Sequence, residues 1–448
     1  MTKIAIIADD LTGANDTGVQ FCQHGFRTMV IIDADNVGQV GRDKDVWAIN
    51  ADTRHLTAEE AYRRVYDLAL KLKQASIRRI YKKIDSTLRG HPGAELEAVM
   101  DAWQAELALV VPAFPSNRRF VQDGYLIIEE NPEAKAKIKP VVDITGSAQC
   151  HVPRVLRQEM GRRVGQVNLA TVRRGASELA AALTAAKEEN EVLVLDAVTE
   201  DDLQIIARAV GYLPGEVVLA GAAGMAAHLT LAWNLKTILG PYPAREGNVL
   251  LIAGSRNPVT AVQVREVADF SGCWPLEVDT GAILRGQEDV EIERAVNAAV
   301  NREAIQDLLI IAVDSLFRQS HLDSGQGTGN QSTAIHPNGA EQPATGNSGK
   351  DFDSKAIATA LGAIASHLLA TIKVRGLVIT GGDTAVHVCR ALGARGINLA
   401  TEILPGIPLG YLEGGQARGL PIVTKAGGFG PPDAFIKVFK YLIREANL

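Results

Sequence analysis

No apolar run in this chain approaches the roughly 18 residues that a membrane span requires. The first strand-like segment meets acid at Asp9 before any signal-like region is complete. The expectation is a cytoplasmic protein with no membrane partner. Cysteine is scarce. Cys22, Cys150, Cys273 and Cys389 are scattered, with none of the CxxC or Cys/His spacings of zinc and redox motifs, so they read as reduced core thiols. Positive charge is not concentrated either: Lys and Arg total 46 against 52 Asp and Glu, a net charge of −6. No basic tract or aromatic-basic interleaving marks a nucleic-acid partner. The expected partner is a small molecule.

Several signatures are also missing. "GNSGKD" at 346–351 resembles the end of a GxxxxGK[ST] phosphate loop, but Ala344 stands where a Gly is needed and Asp351 follows the lysine. "GQGTGN" at 325–330 misses the dinucleotide fingerprint at its last position and follows no strand. A Walker ATPase and a Rossmann dehydrogenase are therefore unsupported, and neither a GxSxG elbow nor an HExxH zinc motif occurs. His24, His55, His91, His151 and His387 show no metal-ligand spacing, and a helix-end or core role is expected for most of them.

What is present is the ordinary material of a two- or three-domain globular chain: 448 residues, 46% hydrophobic and 22% charged. Short apolar runs recur, each followed by turn residues and then by helical periodicity. Examples are "KIAIIA" (3–8), "RRIYKKI" (78–84), "LALVV" (107–111), "VLVLDA" (192–197), "EVVLAG" (216–221), "NVLLIAG" (248–254), "LLIIAV" (308–313), "GLVITGG" (376–382) and "LPIVTKAGG" (420–428). Alternating strands and helices predict an α/β fold, with two α/β domains built on mainly parallel sheets and the ligand cleft between them. Pro92 opens a helix with apolar residues at Leu96, Val99, Met100, Trp103 and Leu107, and a second stripe runs from Phe435 to Ile443. "GPYPAREGN" at 240–248 marks the expected boundary, giving domains 1–240 and 248–448. The polar stretch 320–353 reads as a mobile surface insertion in the second of these.

In open parallel α/β sheets ligands bind beyond the carboxyl ends of the strands, so strand exits are the places to look. The N-terminal half offers polar exits: "ADDLTGAND" after the first strand, "NADTRHL" at 50–56, "KKIDSTLRGHPG" at 82–93 and "PAFPSNRR" at 112–119. They supply Asp10, Arg54, Lys83, Asp85, Ser86, Arg89, Asn117 and Arg118, a mixture that suits a small anionic polyol. Cations would take a carboxylate by charge-assisted bonds, and Asp, Ser and Asn would take hydroxyls. The C-terminal half offers glycine-rich exits, "AGSRNPVT" (253–260), "TGGDTAVHV" (380–388) and "KAGGFGPPD" (425–433), whose backbone N–H groups could approach phosphates. Blander readings compete. Asp9 could be only a helix N-cap, and Lys82 and Lys83 could alternate across an edge strand with one side solvated.

Seven motifs in order, "ADDLTGANDTG" (8–18), "YKKIDSTLRG" (81–90), "PAFPSNRR" (112–119), "GSRNPVT" (254–260), "ITGGDTA" (379–385), "LPGIPLG" (404–410) and "KAGGFG" (425–430), resemble the four-carbon acid sugar kinase family. The resemblance covers nearly the whole chain except the polar stretch. It implies an acid-sugar-binding N-terminal domain, a nucleotide-binding C-terminal domain, and phosphorylation of the C4 hydroxyl of a tetronate by ATP with Mg²⁺, a step of carbohydrate metabolism. Matching positions for the acid sugar are Asp10, Arg54, Lys83, Asp85 and Ser86. For the nucleotide they are Ser255, Gly381, Gly382, Asp383, Thr384, Gly427, Gly428 and Gly430. Asp383 is the expected direct or water-mediated Mg²⁺ ligand.

Members of that family act on D-threonate, D-erythronate or 3-oxo-tetronates, and the "DDLTGANDTGVQ" wording is closer to the D-threonate branch. Arg54 and Lys83 would face the carboxylate, and Asp10 is the preferred base with Asp85 the alternative. Two lobes suggest closure around both substrates. A homodimer is compatible with the sequence. The rival from another class is a non-catalytic acid-sugar sensor with the same cations and no poised base.

Overall fold

The computed structural model describes residues 4–129, 150–233, 246–317 and 348–444, apart from 39, 40, 42, 76, 256, 271 and 303–306. Its first strand, β1 (Ile4–Ala8), is apolar throughout and fully buried, as a strand with neighbours on both edges and helices on both faces must be. Helix α1 (Leu11–Gln23) follows, then β2 (Thr28–Ile31) and β3 (Val46–Asn50). Helix α2 (Ala58–Gln74) opens with a reciprocal capping box, in which Thr57 bonds the Glu60 N–H and Glu60 bonds back to Thr57. Next come β4 (Arg79–Lys83), α3 (Pro92–Trp103) with Pro92 in its first turn, and β5 (Leu107–Val111).

A small hairpin, β6 (Arg119–Gln122) and β7 (Tyr125–Ile128), stands apart from the main sheet. The first half is completed by β8 (Val164–Val167), β9 (Val192–Leu195) and β10 (Val217–Gly221). The second half carries β11 (Asn248–Ala253), β12 (Cys273–Val278), β13 (Leu308–Val313), β14 (Val374–Thr380), β15 (Gly396–Leu404), β16 (Ile407–Glu413) and β17 (Pro421–Lys425). Most of the polar stretch 320–353 lies outside the described residues, and its end enters the helix Ser348–Thr371.

The two expected sheets are one. Among the described residues, fifteen strands run in the order β12-β13-β11-β14-β17-β16-β15-β2-β3-β1-β4-β10-β5-β9-β8. Both flanks are parallel, and the centre is an antiparallel hairpin, β15–β16, that pairs with β17 on one side and β2 on the other. The hairpin turns at Pro405–Gly406, inside the "LPGIPLG" motif. At the seam Gly396 lies opposite Ile31, and a Cβ at Gly396 would stand 2.4 Å from Met29 Cε and 2.8 Å from the Val30 carbonyl. Only a residue without a side chain lets the strands meet there.

β4 is not an edge strand: it lies between β1 and β10, and Lys82 and Lys83 are both buried. Lys82 Nζ reaches Glu95 Oε2 on α3 at 2.6 Å, and Glu95 Oε1 accepts from Thr53 Oγ1 at 2.9 Å. Lys82→Met leaves the buried Glu95 carboxyl without its cation, with only the Thr53 hydroxyl bonded to it among the described residues, an expected loss of about 3–5 kcal/mol. Thermal unfolding of Lys82→Met beside the double variant Lys82→Met/Glu95→Leu checks this: the single substitution should lower the midpoint more than the double one.

Candidate functional site

The strand exits of the first half converge on one guanidinium. Asp10 has extended backbone, and its Oδ1 accepts from the Gly13 N–H at 2.7 Å, so Asp10 and not Asp9 caps α1. Asp9 instead binds Arg54 Nε through Oδ2 at 2.7 Å. Arg54 Nη1 reaches Asp10 Oδ2 at 2.5 Å, and Nη2 reaches Asp85 Oδ1 at 3.2 Å. The exits of β1, β3 and β4 are thereby tied together, which is what the adjacent aspartates gain from a position where they would otherwise repel each other. Of about five guanidinium N–H groups three are spent, and about two remain for a ligand.

Among the carboxylates described at this site, Asp85 is the most heavily bonded. Its Oδ2 accepts from Thr87 N and Oγ1 and from Arg89 N and Nε, and its Oδ1 from Arg54 and Arg89. Burial alone would raise its pKa, but Arg54 and Arg89 outweigh burial and hold it well below the usual carboxylate range. Asp10 comes out the other way, since burial raises it by more than Arg54 lowers it. Lys83 Nζ, buried beside the cavity, donates to the Ile84 carbonyl at 2.8 Å.

The exits of the second half are backbone-rich. The helix Gly382–Ala391 starts at the end of β14, with Asp383 in its first turn. Asp383 Oδ1 lies 3.4 Å from His55 Nε2 across the cavity, and that contact, ahead of an opposing burial effect, lowers the Asp383 pKa. His55 therefore has neither the helix-end nor the core role expected of most histidines, whereas His24, His91 and His151 do stand at helix boundaries.

After β17 the chain turns through 426–430, and the carbonyls of Ala426, Gly427, Phe429 and Gly430 are bound from behind. Lys425 Nζ donates to the carbonyls of Ala426 at 2.8 Å, Gly427 at 3.2 Å and Phe429 at 3.1 Å. Thr260 Oγ1 donates to Gly427 at 2.9 Å, and Gln263 Nε2 donates to Phe429, Gly430 and Pro431. A Cβ at Gly427 would stand 2.3 Å from Ser255 Oγ, so the turn and the exit of β11 touch at that point.

These exits enclose a cavity of about 730 Å³. Asp10, Arg54, Lys83, Asp85, Ser86 and Arg89 line it from one side, and Ser255, Gly381, Gly382, Asp383, Thr384, Gly427 and Gly428 from the other. Gly430 belongs to the same turn but is not in the wall, and neither are Asn117 and Arg118. Arg118 takes the left-handed position that ends the Pro115–Asn117 turn (φ 57°), and the next residue, Arg119, enters the cavity. Thr12 and Asp16, one turn apart on α1, also line it and escaped the sequence reading of the site. The signal that could have found them is their i, i+4 spacing behind Asp10.

Residues 4–229 match a sugar-binding N-terminal domain and residues 250–435 a nucleotide-binding C-terminal domain. The chain is 33% identical to the D-threonate kinase of Bordetella bronchiseptica over 455 aligned residues, 99% of this chain and 98% of that one. The chain belongs to the four-carbon acid sugar kinase family. Another relative in this family, the D-erythronate kinase of Heliobacterium modesticaldum, is 32% identical over 100% of this chain and 98% of its own. The fold is shared with a crystal structure from Salmonella typhimurium LT2 at a TM-score of 0.73 and 23% identity, covering 98% of this chain and 99% of that one. Among the described residues no helix is long and apolar enough to cross a membrane.

Proposed function

We propose that this acid sugar kinase transfers the γ-phosphoryl group of ATP to the C4 hydroxyl of D-threonate, giving 4-phospho-D-threonate. The observation that carries the reading is the division of one cavity between a cation–carboxylate wall and a wall of glycine-rich turns. The first suits a small hydroxy acid and the second a polyphosphate. D-Threonate is favoured over D-erythronate and 3-oxo-tetronates by the "DDLTGANDTGVQ" wording of α1 and by the similarity to a D-threonate kinase.

In this reading Lys83 and the spare N–H groups of Arg54 take the carboxylate, and Ser86 and Asp85 orient the hydroxyls. The turns at 381–384 and 427–430 hold the phosphates. Phosphoryl transfer asks mainly for alignment and charge neutralisation, which such a paired wall supplies.

Asp383 fits a Mg²⁺ role. Its carboxylate is half-exposed in the cavity and is kept ionised by His55. Among the described residues no group of three or more His, Cys, Asp or Glu builds a protein cage. A single carboxylate suits an ion that is otherwise held by phosphates and water. Bound there, Mg²⁺ would screen the triphosphate charge.

ADP release with Mg·ATP and D-threonate, L-threonate, D-erythronate or 3-oxo-tetronates, against a no-acceptor control, tests the proposal. Turnover should be strongest with D-threonate. Preference for another tetronate would overturn the substrate, and release at the control rate with every acid would overturn the activity.

A further inference from the structure

We propose that Asp16 is the proton acceptor of this kinase, its carboxylate taking the proton of the acceptor hydroxyl from the wall of the cavity. The inference rests on the acid sugar kinase reading above and deepens it.

Among the described residues, four carboxyl groups line the cavity: those of Asp10, Asp16, Asp85 and Asp383. Asp10 has one oxygen on the Gly13 N–H and the other on Arg54. Asp85 accepts from six N–H and O–H groups, and Asp383 faces His55. Asp16 is different. It is 4% exposed, Oδ1 is buried with no hydrogen-bond partner, and neither oxygen forms a hydrogen bond or ion pair among the described residues. A buried carboxyl without partners is costly, and native proteins seldom keep one without a use for it. Thr12, one turn earlier on the same face, also carries an unpartnered buried hydroxyl. Together they form a polar strip that opens on the ligand space.

The electrostatics agree with the geometry. The charged groups acting on Asp16 are Lys83 at the end of β4, Glu402 on β15, and Asp10 and Asp85 at the exits of β1 and β4. Asp16 in turn acts on Arg119 of β6 and on the buried phenol of Tyr81. Burial, only partly offset by Lys83, raises the carboxyl to about 7. A base with that value is matched to work at neutral pH.

In the step itself the hydroxyl proton moves to an Asp16 oxygen. The hydroxyl oxygen forms its bond to the γ-phosphorus as the bond from that phosphorus to the β-bridging oxygen breaks. ADP keeps the electron pair, and Asp16 releases the proton to water after the products leave.

Only the ionised carboxyl accepts a proton, so wild-type kcat should rise with pH through an apparent pKa near 7 and then level. Asp16→Asn should lower kcat about 10²–10⁴-fold and abolish that rise, with the KM for ATP changed less than about threefold. The raised pKa also means that the folded state binds an extra proton between the unfolded value near 3.8 and about 7. The carboxyl therefore erodes stability as pH rises through that window, and Asp16→Asn should melt no lower than wild type at pH 8.

A purely structural Asp16 predicts the opposite, because Asn mimics the protonated acid: turnover within threefold of wild type would overturn the assignment. Should the variant fail to fold, the wild-type profile decides, since a kcat flat between pH 6 and 8 also overturns it. Wild-type enzyme that turns over no tetronate would instead defeat the kinase reading, an outcome separate from both.

Discussion

Arg119→Met should reduce turnover by about 10²–10³-fold without unfolding the protein, the range found when one preorganised donor to a reacting anion is removed. The cations around the cavity differ in how much of their charge is already spent. Arg54 holds three aspartates, and Arg89 bonds Asp85 through two nitrogens. Arg119 has no carboxylate partner among the described residues. Its Nη1 donates to the Asn117 carbonyl, its Nε is buried without a partner, and its guanidinium lies 5.7 Å from the ring centre of Phe429 in the 426–430 turn.

An arginine of the sugar-binding half thus rests on the loop proposed to carry phosphate, with unspent charge facing the space between them. Its planar fork suits a phosphoryl group or carboxylate in a way an ammonium does not, so Arg119→Lys should recover only part of the lost rate. Steady-state kinetics with calorimetric melting of each variant make the test. Turnover within twofold of wild type in Arg119→Met would remove Arg119 from the mechanism.

The second large effect concerns the donor side. Lys425→Met should raise the KM for ATP by about 10–100-fold while leaving the KM for the sugar acid nearly unchanged, because three charge-assisted bonds to the loop carbonyls vanish at once. Burial pushes the Lys425 amine down to about 7. Its three carbonyl acceptors nevertheless call for three N–H donors, which only the ammonium has. With those carbonyls held by Lys425, Thr260 and Gln263, the Phe429 N–H bonds the Ala426 carbonyl within the turn, and the proposed role of the glycine amides is to hold the phosphates. Gln263→Leu, which takes a donor from each of the Gly430 and Pro431 carbonyls and removes one of the two donors to Phe429, should shift the same parameter in the same direction. A nucleotide-binding titration on folded Lys425→Met gives the answer directly, and wild-type affinity for ATP would show that the loop needs no such support.

The α/β class and the strand-exit positions were legible because they depend on local pattern. Runs such as Ile4–Ala8 and Leu308–Val313 are apolar at every position, and only a strand flanked on both sides accepts that. The glycine-rich and polar turns after them mark the cavity for the same local reason, and most of the residues read from those turns do line it.

Other features were hidden. Thr28–Ile31 and Cys273–Val278 are short or broken by Pro275 and look like neither regular strand nor helix. Arg118 and Arg119 are indistinguishable in sequence, and only the left-handed backbone at Arg118 decides which of them enters the cavity. Asp16 sat inside a quoted motif, yet its isolation is a property of what surrounds it.

The sequence alone determined that this chain builds two α/β halves, one with cations, carboxylates and hydroxyls at its strand ends and one with glycine-rich turns there, because periodicity and turn composition act over a few residues. The tertiary structure decided that the halves share one sheet through the β15–β2 seam, that Lys82 is spent on Glu95, and which charges remain available. Each of these depends on partners brought together from distant parts of the chain. A charge is free or neutralised only relative to such partners, and no local pattern records them.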